Sequence, residues 1–187
     1  MACIYIVPIR VASHFWHEPL GAAIRRAFGI VTRVTTYHQV DLSKTFNSTR
    51  NQYHSSEILL QLIQNPLPDA LKILGVVDVD LCIPVLTFVF GEAQLDNIAS
   101  VVSLHRLDNR FYGLPHDQHL LIGRLIKESV HELGHTFGLL HCNIPGCVLN
   151  ASTYVEDIDQ KSDEFCQQCW KSLHVKVQHF QSVKGIR

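Results

Sequence analysis

His131-Glu132-Leu133-Gly134-His135-Thr136-Phe137-Gly138-Leu139-Leu140-His141 holds five residues whose mutual spacing is chemically specific: His131, Glu132, His135, Gly138 and His141. The residues leading into it, LLIGRLIKESV, repeat apolar side chains every three or four positions, and Leu121, Leu125, Val130, Leu133 and Phe137 continue one stripe. That period predicts a long amphipathic helix beginning near His116, with Gly138 placed to end it in the left-handed conformation. Positions four apart share a helix face, so His131 and His135 can turn their imidazoles toward a common point. Glu132 lies beside that point but outside the pair, where it can hold and deprotonate a metal-bound water. A sharp turn after Gly138 lets His141 come back as a third ligand. Three protein ligands leave a fourth position for water, the arrangement of a catalytic zinc. The metal brings the pKa of that water from about 16 to near 7. Three surface or capping histidines would be the bland alternative, and it makes the five fixed positions a coincidence.

The cysteines divide into two kinds. Cys3 and Cys82 lie in apolar, strand-like segments and read as buried small hydrophobes. Cys142, Cys147, Cys166 and Cys169 crowd the C-terminal quarter as C-x4-C and C-x2-C pairs. The opening MACIYIVPIRVASHFW has too short an apolar run for a signal-peptide core and no basic segment before it. No apolar stretch approaches the roughly 18 residues that span a bilayer. The expected compartment is therefore the cytoplasm, and in a reducing compartment clustered cysteines argue for metal over disulfides. Four thiolates close a tetrahedral shell and leave no room for substrate, so this second zinc is expected to be structural. Cys142 adjoins His141, so the two sites share backbone. The expectation is two zinc ions per chain.

The eleven-residue stretch resembles the metzincin signature H-E-x-x-H-x-x-G-x-x-H. Cys142 directly after the third histidine, then Cys147 and the Cys166/Cys169 pair, makes the extended pattern similar to the archaemetzincins. That resemblance spans about 40 residues by motif. It implies a zinc metallopeptidase in which His131, His135 and His141 hold a catalytic zinc, Glu132 is the general base, and Cys142, Cys147, Cys166 and Cys169 hold a structural zinc. It implies an α/β fold of the zincin (α+β) type: a twisted mixed sheet with a backing helix and an active-site helix, then a small zinc-bound C-terminal lobe. The cleft is expected between the sheet edge and that lobe, and the expected partner is a peptide or protein substrate.

One position departs from the family. Metzincins carry a methionine turn beneath the catalytic metal, and two residues after the second cysteine this chain has Leu149; its one methionine is Met1. Leucine has a similar volume and fills such an apolar floor at a cost below about 1.5 kcal/mol. No residue clearly matches the tyrosine ligand that some metzincins add after the turn, with Tyr154 a remote candidate.

Upstream, CIYIVPI reads as a strand, Glu18 to Phe28 as a helix with Leu20, Ala23, Ile24 and Phe28 on one face, and Thr32 to Gln39 as a second strand. A serine at 55 or 56 caps a helix through EILLQLIQ, ending before Pro66. LKILGVVDVDL, FVFGEA and ASVVSLHRL read as three further strands, which together predict a mixed, mostly parallel sheet backed by helices. LCIPVLTFVFG, broken by Pro84, reads as buried strand. Ser100 to Leu104 reads as an edge strand along which an extended peptide could pair. Asp78, Asp80 and the Arg25-Arg26 pair read as solvated, and His105, His116 and His119 as surface or packing residues. A final helix is expected from about Asp163. The economical division is one domain over residues 1–187, with subdomains at about 1–141 and about 142–187.

A net charge of −1 without a basic stripe argues against nucleic acid or an anionic membrane as partner, and a monomer is the default. Two other classes stay open. A metal-dependent nuclease with a three-histidine site is disfavoured by Glu132 and by the charge. A zinc protein that uses the fold only to bind a partner is disfavoured by the intact His131/Glu132/His135/His141 set.

Overall fold

An eight-residue strand buried at every position decides the middle of the molecule: β5 (Ala70–Val77) has no exposed side chain. Burial on both faces is the mark of an inner strand of a parallel sheet covered by helices. The computed structural model, which describes residues 2–36, 40–64, 67 and 69–183 and side chains as far as residue 178, places it there. β5 runs between β1 (Cys3–Ile9) and β8 (Ala99–Ser103), β2 (Thr32–Val34) lies beyond β1, and β7 (Gly91–Ala93) lies beyond β8. The pairings β2–β1, β1–β5 and β5–β8 are parallel, and β7–β8 is antiparallel. A smaller sheet joins β3 (Phe46–Asn47), β4 (Gln52–His54) and β6 (Leu81–Cys82).

Helices cover both faces. On one lie α1 (His17–Phe28) and α3 (Gln118–Thr136), whose Leu20, Ile24, Phe28, Leu121, Leu125, Val130 and Leu133 share a core with Ile4, Ile6, Leu74, Val76 and Val102 of the sheet. On the other lies α2 (Ser55–Gln64), packing Ile58, Leu59 and Leu62 on Val7, Ile73, Val77 and Val101. The C-terminal segment adds α4 (Val155–Gln160) and α5 (Gln167–Val183) and sends Val148, Leu149, Val155, Ile158, Leu173 and Val177 into the first of these cores. The mixed α/β architecture expected from the sequence is present, with a four-cysteine cluster in the C-terminal lobe.

Lys72 is the one charged residue on β5. Its ammonium donates to the carbonyls of Asn97 (2.7 Å) and Thr136 (2.6 Å). A buried cation at the last carbonyls of α3 complements the negative end of the helix. It anchors the end of α3 to the middle strand.

Several local expectations change. β8 is an inner strand: β7 pairs along its outer side, so Ser100–Leu104 is not an edge and offers no line of backbone groups to a peptide. The two strands turn through Gln94–Asn97 with Asp96 at φ 55°, a left-handed residue without glycine. LCIPVLTFVFG is strand at Leu81–Cys82 and again only at its last residue, Gly91, where β7 begins; just past Pro84 the chain leaves the core, with Val85 and Leu86 exposed. The second strand stops at Val34, and Tyr37–Gln39 of that expectation lie outside the described residues. The last helix begins at Gln167, and α4 occupies the polar stretch before it. Asp80 is not simply solvated. It receives Arg106 (Nη2 to Oδ2, 2.7 Å) and Gln52 (2.9 Å), while Arg106 stacks over the Phe88 and Phe111 rings. Asp78 is burdened by burial, which pushes its carboxyl up. Arg25 and Arg26 are paired at the surface with Glu18 and Asp163. His105 packs on Phe111, and His116 contacts Asp108.

Candidate metal centre

Asp117 caps α3 by accepting from the Leu120 amide at 3.0 Å, and the helix runs to Thr136. Gly138 then takes φ 75° and donates to the His135 carbonyl at 2.8 Å. The left-handed residue reverses the chain immediately after the helical histidines. The reversal also serves the site. Leu139, now folded back, accepts from His135 Nδ1 at 2.7 Å.

His131 is held in the same way from another segment, its Nδ1 donating to the Val148 carbonyl at 2.8 Å. A carbonyl can only accept, so both Nδ1 atoms carry the proton and both Nε2 atoms keep their lone pairs. Those Nε2 atoms lie 3.0 Å apart. Two nitrogens at the usual zinc–nitrogen distance on a tetrahedral ion would be separated by about 3.3 Å. His141 closes the set, its ring centroid 5.2 Å from that of His131 and 4.9 Å from that of His135, and a ligand atom from each of the three lies within 4.8 Å of the others. Burial holds the His131 and His135 imidazoles below their ordinary range, with the Lys161 charge adding to this at His131. Two neutral, lone-pair-bearing imidazoles beside a third suit a zinc ion.

Glu132 is buried beside this group, and burial, followed by the neighbouring Glu128, pushes its carboxyl well above the ordinary range. β7 makes room for it. A Cβ at Gly91 would stand 2.7 Å from Glu132 Cγ and 2.8 Å from the Val101 carbonyl, so the outer strand can cross the glutamate only as glycine. A cleft of about 280 Å³ opens over the site. Residues 86–91 form one wall, Ala151, Ser152 and Thr153 the other, and Glu128, His131, Glu132 and His141 lie between. Tyr154 is exposed just beyond the second wall, with its amide on Asp157 rather than in the cleft.

The four clustered cysteines also converge, with one sulfur from each within 4.8 Å of the rest. Cys142 and Cys166 Sγ lie 3.8 Å apart, too far for a disulfide and close to the roughly 3.8 Å expected between thiolates on a tetrahedral zinc. None of the six cysteines is in a disulfide. Backbone amides of Ile144 and Cys166 point at Cys142 and Cys147 sulfurs, both at 3.4 Å. The Cys169 amide helps to bring the Cys166 thiol down to about 7, while burial pushes Cys147 and Cys169 up. Such a set tolerates four negative sulfurs only around a cation.

Leu149 is fully buried under α3. Its Cδ2 lies 3.0 Å from where a Cβ on Gly134 would be, between the two helical histidines. Its carbonyl accepts from the Cys142 amide at 3.0 Å, tying the floor of one cluster to the first ligand of the other.

The structure thus brings His131, His135 and His141 together with Glu132, and separately brings together Cys142, Cys147, Cys166 and Cys169. Sequence reasoning passed over the Val148 and Leu139 carbonyls, Gly91, Glu128 and Lys161. Only Glu128 left a trace, being four residues before Glu132 and therefore on its face of the helix.

A family model described as Peptidase family M54 matches residues 23–175. Over 166 residues the chain is 37% identical to an archaemetzincin of Archaeoglobus fulgidus, covering 89% of this chain and 95% of that one. Over 128 residues it is 41% identical to an archaemetzincin of Methanocaldococcus jannaschii, covering 68% and 69%. The crystal structure of a zinc-dependent peptidase from Methanocorpusculum labreanum superposes with a TM-score of 0.83 at 30% identity, over 91% of this chain and 99% of the other.

Proposed function

This chain belongs to peptidase family M54, the archaemetzincins, and so with the zinc metallopeptidases; from that premise we propose that it hydrolyses peptide bonds with Glu132 as general base. His131, His135 and His141 would hold the catalytic zinc, and Cys142, Cys147, Cys166 and Cys169 a structural one, two ions per chain. The observation that carries the reading is the pair of backbone acceptors, Val148 and Leu139, that spend both Nδ1 protons and turn both Nε2 atoms inward beside a buried carboxylate.

Zinc at the histidines supplies a Lewis acid for the scissile carbonyl and brings the pKa of water near 7. The protein does the rest. Glu132 takes a proton from the attacking water and returns it to the leaving amine. Burial suits it to the first half, because a buried carboxylate whose affinity for a proton is raised is a stronger base. Residues 86–91 and 151–153 flank the scissile bond, exclude bulk water and hold the chain on either side of it. The substrate is a peptide or protein and the enzyme a monomer. Neither nucleic acid nor membrane takes part. No helix among the described residues is long and apolar enough to cross a membrane. The compartment is the cytoplasm, where the cysteines stay reduced for metal.

The test is a broad peptide-library digest with zinc-replete protein and with Glu132→Gln. The variant keeps the size and hydrogen-bonding capacity of the side chain but not its basicity. Cleavage should fall by about 10²–10⁴-fold while zinc content stays at that of the parent. Cleavage undiminished in Glu132→Gln would remove the base from the mechanism.

A further inference from the structure

Neither ligand cluster contains the most deeply buried ion pair in the described residues, Lys161 with Glu128. Lys161 Nζ lies 2.7 Å from Glu128 Oε1, with the side chains 1% and 5% exposed. The ammonium meets that oxygen off the line of a hydrogen bond, so the contact is chiefly Coulombic. A buried pair often contributes little to net stability compared with apolar side chains of the same size. Its location is therefore the informative feature.

Glu128 stands on α3 one turn before Glu132 and lines the cleft. Lys161 follows α4 in the C-terminal lobe and reaches back across the site. Its ammonium also donates to the Asn150 carbonyl at 3.2 Å and lies 3.4 Å from His131 Nδ1. It cannot donate to that nitrogen, whose proton goes to Val148 at 2.8 Å. Lys161 therefore touches the active-site helix through Glu128 and the Val148–Asn150 turn through Asn150. It joins the two parts whose separation sets the His131–Val148 hydrogen bond.

We propose that Lys161, seated on Glu128, is a positioning residue for the first metal ligand: it clamps the Val148–Asn150 turn to α3 so that Val148 holds His131 with Nε2 toward the metal. The inference rests on the reading of His131, His135 and His141 as the metal ligands. A metal-ligating histidine is usually fixed through its other ring nitrogen, and loss of such support typically costs about 10–100-fold in metal affinity or activity. Here the support is a carbonyl that itself needs holding, and the clamp crosses from one lobe to the other.

The test separates positioning from mere stability. Lys161→Met leaves Glu128 buried and unpaired, so it is compared with Lys161→Met/Glu128→Leu, which removes both charges and fills the space. Metal-stripped full-length protein is titrated with cobalt(II), whose thiolate charge-transfer absorption marks the cysteine site and leaves the histidine site to be read separately; zinc affinity follows by competition with a chelator. Both variants should bind at the histidines about 10–100-fold more weakly, with the cysteine site unchanged and the double variant melting as the parent does. A double variant that binds at the histidines as tightly as the parent overturns the proposal. So does one in which both sites loosen together with a fall in melting temperature, since the pair would then serve stability alone. A parent protein that takes up a single cobalt ion with the thiolate signature overturns the histidine reading beneath it, and is told apart because it needs no variant.

Discussion

The two ligand clusters meet at the peptide bond between His141 and Cys142, yet they are built on opposite principles. The histidines come from a rigid helix and the turn behind it, grade from buried His131 to exposed His141, and face a cleft. Their orientation is fixed from behind by backbone carbonyls. The cysteines come from loops, the approach to α5 and its first turn, are steadied by amides that point at sulfur, and supply four donors where the histidines supply three. A three-donor set leaves a coordination position for chemistry; a four-thiolate set completes the shell, where a divalent ion would offset half of its negative charge. The open cluster is positioned by the fold. The closed cluster helps to position the fold, because Leu149 ties its Cys142 to the floor beneath the histidines.

The contrast breaks most visibly on metal removal. A chelator added in steps should take the histidine-site zinc first, because its shell is open, and activity should vanish while one zinc per chain and the fold persist. Metal analysis beside a peptide-cleavage assay at each step reads both. Simultaneous loss of the two ions would mean that the sites are not distinct in the way their donor sets imply.

Cys166→Ala should act in the opposite sense and with a smaller effect on activity. It leaves Glu132 and the three histidines in place and opens the thiolate shell. Structural zinc in isolated small peptides contributes about 10–16 kcal/mol of apparent binding energy to folding. Here Val148, Leu149, Val155, Ile158, Leu173 and Val177 already bind the lobe to the core, so much of that is not lost. With about 3 kcal/mol lost, calorimetry should find the melting temperature lower by about 6–12 °C, at 2–4 °C per kcal/mol for a chain of this size. His141, next to Cys142, should loosen, and cleavage should weaken by less than in Glu132→Gln. An unchanged melting temperature would deny the cysteines a structural role.

What could be read in the sequence divides along the same line. Ligand spacing along one helix is a local property, and the positions of His131, Glu132, His135 and Gly138 are fixed by the 3.6-residue turn before any tertiary contact forms. The strand β5 was likewise legible, as a run that is apolar apart from Lys72. Pairings between distant residues were not. β7 is three residues long and joined to β8 by a turn whose left-handed residue is Asp96, so no Asn-Gly or Asp-Gly signal announces the hairpin that covers β8. Val85 and Leu86 read as core because they are apolar, and they are exposed at the approach to the cleft. Lys161 and Glu128 lie 33 positions apart, and nothing in the composition of either segment distinguishes a buried lysine from a solvated one.

Leu149 offers the smallest and sharpest test of the contrast, since it lies where the two clusters share a floor. The side chain packs on the backbone of α3 at Gly134, with Phe165 on the same glycine: its Cε1 lies 3.2 Å from where that Cβ would be. The polar duties of the segment belong to the main chain. Val148 holds His131 by its carbonyl, and Leu149 holds Cys142 by its own. A side chain of similar volume leaves both undisturbed, and methionine is unbranched and adapts to irregular gaps. Leu149→Met should therefore change stability by less than about 1.5 kcal/mol, with zinc content unchanged and cleavage within a few-fold of the parent. Leu149→Ala should cost about 2–5 kcal/mol, because it empties the space under Gly134. Urea unfolding of the two variants beside metal analysis makes the comparison. If Leu149→Met instead strips zinc or shifts cleavage by orders of magnitude, the floor tunes the ligands directly, and the division between a fold-positioned cluster and a fold-positioning one fails at the point where the two touch.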